Sequence, residues 1–242
     1  MVNKLLPAGL LAHGRRWLAV ARRPPCLLCH TPAEPDGLCD ACRHDLPWNL
    51  HACRHCALPL PAGLDCCADC RRQPPPLTTL EPLRYAFPVD ALVAGLKYHH
   101  RLSHAPVLGR LLLEAVQAAG RARPDLLLPV PLHPSRLAAR GCNQALELAR
   151  PLAGALDLPL ETALVRRVRA TAAQRGLDAR ARRRNLRAAF MLDPQRLAAL
   201  PRPCHVVLID DVSTTGSTLA AIAELLLAEG LSVEAWVVAR TP

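Results

Sequence analysis

Apolar and polar positions along the chain change rhythm near residue 80. Beyond that point they alternate between two periods. Leu83-Arg84-Tyr85-Ala86-Phe87 reads as a strand. Val89 to Tyr98 and Ala105 to Ala119 carry apolar residues at spacings of three and four, which predicts helices. Leu126 to Val130 is a short apolar run expected to be a strand, and Asn143 to Leu156 a helix with Asn143 as its N-cap. His205 to Ile209 predicts a strand, Leu219 to Glu229 a helix stopped by Gly230, and Val233 to Ala239 a last strand. Strands alternating with helices predict an α/β fold: a mostly parallel sheet with helices on both faces.

The preceding segment has no such rhythm. It is rich in proline and holds nine of the eleven cysteines, between Cys26 and Cys70. Pro74-Pro75-Pro76 follows as a stiff, extended linker. The expected organisation is a tail or short helix over 1–24, a small cysteine-bearing module over 25–73, and the α/β domain over 74–242.

Composition sharpens this picture only in part. Hydrophobic residues make up 51% of the 242, enough for a core, but aromatics are 3%, so the core must be leucine, valine and alanine. The net charge of +10 suits an anionic partner, yet nearly all of it is arginine in a chain also rich in alanine and proline. Biased composition produces that pattern without nucleic acid. No stretch approaches the roughly 18 uninterrupted apolar residues of a membrane span. The N-terminal region is broken by Pro7, His13, Arg15 and Arg16 and lacks a clean export signal. A cytoplasmic protein is expected.

Four Cys-x-x-Cys knuckles stand in a row: Cys26/Cys29, Cys39/Cys42, Cys53/Cys56 and Cys67/Cys70, separated by nine, ten and ten residues. Two facing knuckles supply the four thiolates of a tetrahedral zinc site, so eight cysteines suggest two zinc ions. Even spacing favours pairing the first knuckle with the second and the third with the fourth, although an interleaved pairing also satisfies the count. Cys66 is an alternative to Cys67; Cys67 keeps the two-residue spacing. Disulfides would need an export route. Cys26-Leu27-Leu28-Cys29-His30 matches a haem-attachment string but leaves three knuckles unexplained, and a redox dithiol would use one knuckle, not four. All-thiolate ligation leaves no open position for water, so the zinc role is structural. In a segment with few large apolar residues, metal supplies most of the folding energy. His44, His51 and His55 are expected at the surface.

The other chemistry-bearing string follows the strand Val206-Val207-Leu208-Ile209. It reads Asp210-Asp211-Val212-Ser213-Thr214-Thr215-Gly216-Ser217-Thr218 and leads into a helix. Such a loop lies at the carboxyl edge of the sheet, where open α/β folds bind ligands. Helix N-terminal N–H groups favour phosphate, hydroxyls add donors, and Gly216 allows close approach. Two adjacent carboxylates would repel a bare phosphate but suit ribose hydroxyls beside it. A helix needs one cap, so four hydroxyls and two acids are excess for capping alone. No Gly-Lys-Ser/Thr of a Walker loop occurs. The string resembles the PRPP-binding motif of type I phosphoribosyltransferases. That resemblance implies that Asp210 and Asp211 contact the ribose hydroxyls, with Ser213, Thr214, Thr215, Gly216, Ser217 and Thr218 around the 5′-phosphate.

Two further basic segments matter. Pro129 to Gln144 follows the Leu126 strand and corresponds, by the same resemblance, to the loop that grips pyrophosphate, with Arg136 and Arg140 as its cations. An ordinary basic connection is the competing reading for Arg136. Arg166 to Arg187 holds nine arginines against the single acid Asp178. Its position matches the flexible hood of these enzymes; a solvated face is the plainer reading.

The cysteine knuckles, Leu96-Lys97-Tyr98, Arg140-Gly141-Cys142-Asn143-Gln144, the Gln174 to Phe190 segment and the Asp210 loop occur in one order. Together they resemble the ComF family, which joins a double zinc ribbon to a phosphoribosyltransferase domain, from about Cys26 to Arg240. Cys142 departs from the phenylalanine usual there. The resemblance implies PRPP binding with Mg²⁺ and a link to DNA uptake in natural transformation. The incoming nucleophile is not identified, and no glutaminase domain is present. A non-catalytic alternative uses the ribbon and the arginine run to bind single-stranded DNA or to dock a competence helicase or ATPase, although Trp48 is the only aromatic there for base stacking.

Overall fold

The computed structural model describes residues 23–35, 37–169 and 188–242. The arginine-rich stretch 170–187, which holds most of the expected hood, lies outside the described residues. The chain divides into two compact units, Met1–Leu46 and Pro47–Pro242.

The smaller unit is built around Pro25↔Pro32, an antiparallel bridge, and helix α1 (Asp40–His44). Cys26 N–H donates to Thr31 O, and His30 N–H closes back onto Cys26 O with His30 at φ 62°. Cys39 is the N-cap of α1, its sulfur accepting from Cys42 N–H. The larger unit opens with the same device. Ala52↔Pro59 bridges, Cys53 N–H donates to Leu58 O, Ala57 N–H closes onto Cys53 O at φ 53°, and Cys67 caps helix α2 (Ala68–Arg72) through Cys70 N–H. The cysteine spacing therefore encodes a repeated structural unit: a knuckle turn closed in the left-handed region, then a thiol-capped turn of helix.

The remainder of the larger unit is a five-stranded parallel sheet. Its strands are β1 (Thr78–Leu80), β2 (Leu83–Arg84), β3 (Leu126–Pro129), β6 (His205–Ser213) and β7 (Ser232–Arg240), in the order β1-β7-β6-β3 with β2 also on β7. Helices α3 (Val89–Tyr98) and α4 (His104–Ala118) precede β3. Helices α5 (Pro134–Arg140) and α6 (Gln144–Leu156) follow it. A separate antiparallel hairpin pairs β4 (Val165–Arg167) with β5 (Phe190–Leu192). Short α7 (Pro194–Ala198) comes before β6, and α8 (Ser217–Ala228) joins β6 to β7.

Strand alternation sorts the core into two layers. Leu126, Leu128, Val206, Leu208, Ala235 and Val237 pack with Ile222 and Leu226 of α8 in one cluster. Leu127, Val207, Ile209, Trp236 and Val238 occupy the alternate positions of the same strands and are also buried, so they face the other layer. There α4 and α6 pack on each other and on β6, β7 and β3. The core is mainly leucine, valine and alanine, as the scarcity of aromatics requires; among the described residues its buried rings are Trp236 and Phe190.

The periodic helices are where the pattern puts them, and Asn143 caps α6 by accepting from Ala145 N–H. Two differences are informative. The expected strand over residues 83–87 stops at Arg84, because its partner β7 ends at Arg240 and Phe87 is 80% exposed. Conversely, β6 runs four residues beyond Ile209, since β7 continues to pair with it as far as Ser213↔Arg240.

Truncating Leu208, which is fully buried, to alanine should cost about 3 kcal/mol. Truncating Leu50, 81% exposed, should change stability by less than about 0.5 kcal/mol. Urea unfolding of the metal-loaded protein measures both.

Candidate phosphoribosyl and metal sites

β3 and β6 are parallel neighbours with Pro129 opposite Ile209, so the loops leaving them open side by side at the carboxyl edge. From β3 the chain passes through α6 to Leu160, which bridges Leu127 on the far side of that strand. From β6 it passes through α8 to β7 on the opposite side. The two connections diverge, which makes the crevice between β3 and β6 a topological switch point, the usual place for a ligand in such sheets.

The loop after β6 is open. Thr214 and Thr215 are exposed, and Gly216, Ser217 and Thr218 are partly so. Gly216 adopts φ 68°, a conformation glycine alone reaches without strain, and an added Cβ would meet nothing within 4 Å. It stands at the N-cap of the 12-residue α8 and has no side chain to cap it, while Ser217 N–H, the first of the helix, makes a long 3.4 Å contact with Thr215 Oγ1. The Thr215 and Ser217 hydroxyls are 2.5 Å apart. A helix N-terminus without a capping side chain of its own, exposed hydroxyls and empty space make this a candidate anion cradle.

Behind it the loop is anchored. Ser213 is 5% exposed, and its hydroxyl lies 2.9 Å from both carboxylate oxygens of Glu81, itself 3% exposed. Arg240 donates from Nη1 to the same hydroxyl at 2.8 Å and also to the Thr214 carbonyl. Burial pushes the Glu81 carboxyl up to about 7, against the hydrogen bond from Ser213 and the nearby Arg240 charge. Ser213 thus turns inward, while the residues after it face outward.

The acid pair is split. Asp210 and Asp211 are consecutive residues of a paired strand, so their side chains leave on opposite faces. Asp211 is 5% exposed and pairs with Lys97 Nζ of α3 at 2.9 Å. Asp210 is partly exposed and accepts from Asp211 N–H at 2.9 Å. Desolvation, and then the Asp211 charge, push the Asp210 carboxyl up to about 7. Arg167 of β4 is partly buried and feels Arg136 as a like charge and Asp210 as an opposite one, so all three converge on one region. Arg136 itself is exposed on α5. Arg140 at the end of α5 bonds Gln144 Oε1 at 3.0 Å and stands over the Tyr98 ring at 5.5 Å.

A cavity of about 660 Å³ opens between α5 and β4, with Leu132, His133, Asn143, Val165, Arg166 and Arg167 on its walls. Its lining is mostly apolar, with Arg166, Arg167 and Glu147 as its charged members.

Sequence reasoning assigned no role to Glu81 or Arg240, and met Lys97 only inside the Leu-Lys-Tyr string and Arg167 only inside the arginine-rich segment. Glu81 and Arg240 emerge from burial and from their shared partner Ser213, 132 and 27 residues away along the chain.

The cysteines form two clusters, Cys26/Cys29/Cys39/Cys42 and Cys53/Cys56/Cys67/Cys70, each with its ligand atoms within 4.8 Å of one another. Cys29 and Cys39 sulfurs are 3.6 Å apart, Cys56 and Cys67 sulfurs 3.8 Å. A zinc tetrahedron with roughly 2.3 Å bonds needs edges of about 3.8 Å, so both clusters fit the metal. Backbone N–H groups point at the sulfurs of Cys39, Cys53 and Cys67, stabilising thiolates. Cys66 lies outside the second cluster, buried, its thiol directed at Cys67 O.

Glu81 and Asp210 both hold their protons to about pH 7 in the folded chain, whereas free carboxyls release them near 4. The folded state therefore binds more protons across that window, and stability should fall as pH rises from about 5 to 7. Glu81→Gln should flatten part of that slope in urea midpoints taken across the range. Metal analysis should return two zinc ions per chain, and Cys53→Ser with Cys56→Ser should leave one.

Residues 20–75 match the Double zinc ribbon domain family, and residues 142–242 match the Phosphoribosyl transferase domain family. DNA utilization protein YhgH of Salmonella typhimurium is 39% identical over 225 residues, 89% of this chain and 96% of its own. The protein of that name from Escherichia coli K12 is 38% identical with the same coverage. Competence protein F of Haemophilus influenzae is 36% identical over 211 residues, 85% of this chain and 91% of its own. With identity of this order spanning both modules, and the two cysteine clusters and the sheet-edge loop in place, the chain belongs to the ComF family of double-zinc-ribbon phosphoribosyltransferase-domain proteins.

Proposed function

We propose that this protein binds PRPP, or a related ribose 5-phosphate compound, in the crevice between β3 and β6, and that it serves DNA uptake or use in the cytoplasm. The observation that carries the reading is the N-terminus of α8, capped by Gly216 with open space above it and fronted by the exposed Thr214 and Thr215. Backbone N–H groups and the hydroxyls of Thr215, Ser217 and Thr218 hold the 5′-phosphate. Asp210 takes the ribose hydroxyls. Asp211, tied to Lys97, sets the strand and the local charge rather than touching the sugar. Arg136 and Arg167 face the pyrophosphate, and Arg140 positions the end of α5.

Asp210 fits one carboxylate ligand of a Mg²⁺ ion that arrives with the pyrophosphate; such an ion supplies charge neutralisation of the leaving group. The chain's own part is positional: it fixes the sugar by one acid and two phosphate groups by helix dipole and arginines, so that C1 is held for an incoming nucleophile. Among the described residues no general base is assigned, and transfer to an acceptor is not part of the proposal.

The names of the curated relatives, DNA utilization protein and Competence protein F, support the biological setting. No described helix is long and apolar enough to cross a membrane. A reading based on single-stranded DNA alone has less behind it: Trp48 is only partly exposed and forms a β-bridge with Leu83.

Calorimetry with PRPP and Mg²⁺ tests the proposal. Wild-type protein should bind, and Asp210→Asn or Gly216→Val should weaken binding at least tenfold. Below its value of about 7, Asp210 carries a proton and neither ligates Mg²⁺ nor accepts two hydroxyls. Affinity should therefore rise about fourfold from pH 6.5 to 8, in step with its ionised fraction. Asp210→Asn should abolish that rise. Absence of binding by the wild type, or a flat profile, rejects the assignment.

A further inference from the structure

The second cysteine cluster and the phosphate loop stand at two ends of one run of hydrogen bonds within the larger unit. At the cluster, His55 O, inside the Cys53/Cys56 knuckle, accepts from Thr79 N–H of β1 at 3.0 Å. Asn49 Nδ2 donates to Ala57 O, one residue past Cys56, at 2.9 Å, and to the Glu81 carbonyl at 3.1 Å. Asn49 N–H donates to Pro82 O, and Arg84 N–H to Pro47 O. Glu81 is therefore gripped by its main chain from the knuckle side. Its carboxylate holds Ser213, the last residue of β6, and Arg240 holds both the Ser213 hydroxyl and the Thr214 carbonyl.

Three features make this more than ordinary packing. Glu81, Ser213 and Arg240 are each less than 7% exposed, so water cannot replace a lost partner. Arg240 and Glu81 meet on the Ser213 hydroxyl, and a displaced acid would leave the buried guanidinium without its acidic neighbour. The knuckle, in turn, is a short turn closed by Ala57 in the left-handed region, with few apolar contacts besides Leu58 and Leu60. Its conformation depends on whatever ties its four sulfurs together.

We infer that Glu81, seated by the second four-cysteine cluster through Asn49 and Thr79, is the positioning residue of the phosphate loop, so that metal held by Cys53, Cys56, Cys67 and Cys70 and sugar phosphate held at Thr214–Thr218 bind cooperatively. This rests on the sugar-phosphate reading above for its second ligand. Thermodynamic reciprocity gives the coupling two measurable sides: metal stabilises the loop, and the loop's ligand retains the metal by the same factor. It also assigns the second metal a task that differs from maintaining the ribbon. Loss or oxidation of that cluster would lower affinity at the loop without altering a residue of it.

The experiment uses the full chain loaded with zinc. Hydrogen exchange of the amides that close the loop, Ala220 N–H onto Gly216 O and Thr241 N–H onto Ser213 O, is followed before and after stripping with a chelator, with β3 and inner β7 amides as internal reference. In wild-type protein the loop amides should exchange at least fivefold faster after stripping while the β3 and β7 amides stay protected. In Glu81→Gln and Asn49→Ala the loop amides should already be fast with zinc bound and change little on stripping. The reciprocal arm follows chelator-driven zinc release with and without PRPP and Mg²⁺. One of the two release phases should slow severalfold in wild type and not in Glu81→Gln, which still binds PRPP at higher concentration. Loop exchange indifferent to zinc overturns the inference, as does equal acceleration throughout β3 and β7, because metal then holds the whole unit rather than the loop. Equal zinc dependence in wild type and Glu81→Gln also overturns it. If PRPP fails to bind at all, the sugar-phosphate reading falls and with it the cooperative form of the inference, while the exchange arm separately decides whether Glu81 transmits the metal's effect.

Discussion

Continuous pairing of β6 with β7 through Ser213 is the constraint on which the rest of the site depends. A strand that stays in its ladder must alternate its side chains, and this one carries the ladder past two carboxylates. Asp211 is thereby delivered to α3 and neutralised by Lys97, and Asp210 to the side where Arg167 and Arg136 gather. Had the strand frayed after Ile209, both acids would lie in one loop, repelling each other and any phosphate nearby. The ladder also places Ser213 opposite Arg240, which brings the guanidinium that fixes the loop's first carbonyl. One register sets the charge, the direction and the anchoring of the site at once.

Much of this was legible in the sequence, and the reasons differ by element. Helices α3, α4, α6 and α8 announce themselves because a buried face at period 3.6 leaves little freedom. The loop after β6 was legible as chemistry, since four hydroxyls, a glycine and two acids exceed what a helix start requires. What the sequence could not express was orientation. Nothing in the string Asp210-Asp211 states that a ladder runs through it, because strand length is set by the partner. Glu81 looked like an ordinary residue after a short threonine pair, and its role comes from Ser213, 132 residues away. Thr78–Leu80 and the β4–β5 hairpin are three-residue strands, too short for a period to show.

The cysteines illustrate a different limit. Their spacing reported two four-sulfur groups, and the fold brings two together. Sequence also suggested that both belong to one module bounded by the triple proline. One double-zinc-ribbon family model spans residues 20–75, while the compact unit that contains the sheet begins at Pro47, so the second group also shares a body with the loop after β6. The polar ties from Asn49 and His55 to β1 account for that membership, and no compositional boundary predicts them.

The position of Arg240 has a consequence for biosynthesis. The arginine that clamps the phosphate loop is in the last residue of the last strand, while its acidic counterpart Glu81 belongs to the first third of the chain. On the ribosome, α3, α4 and the knuckles can acquire their local structure early. The loop after β6 cannot be clamped until Arg240 has cleared the exit tunnel. Chains that have not yet emerged as far as Arg240 therefore carry cysteine clusters without the clamp on the loop.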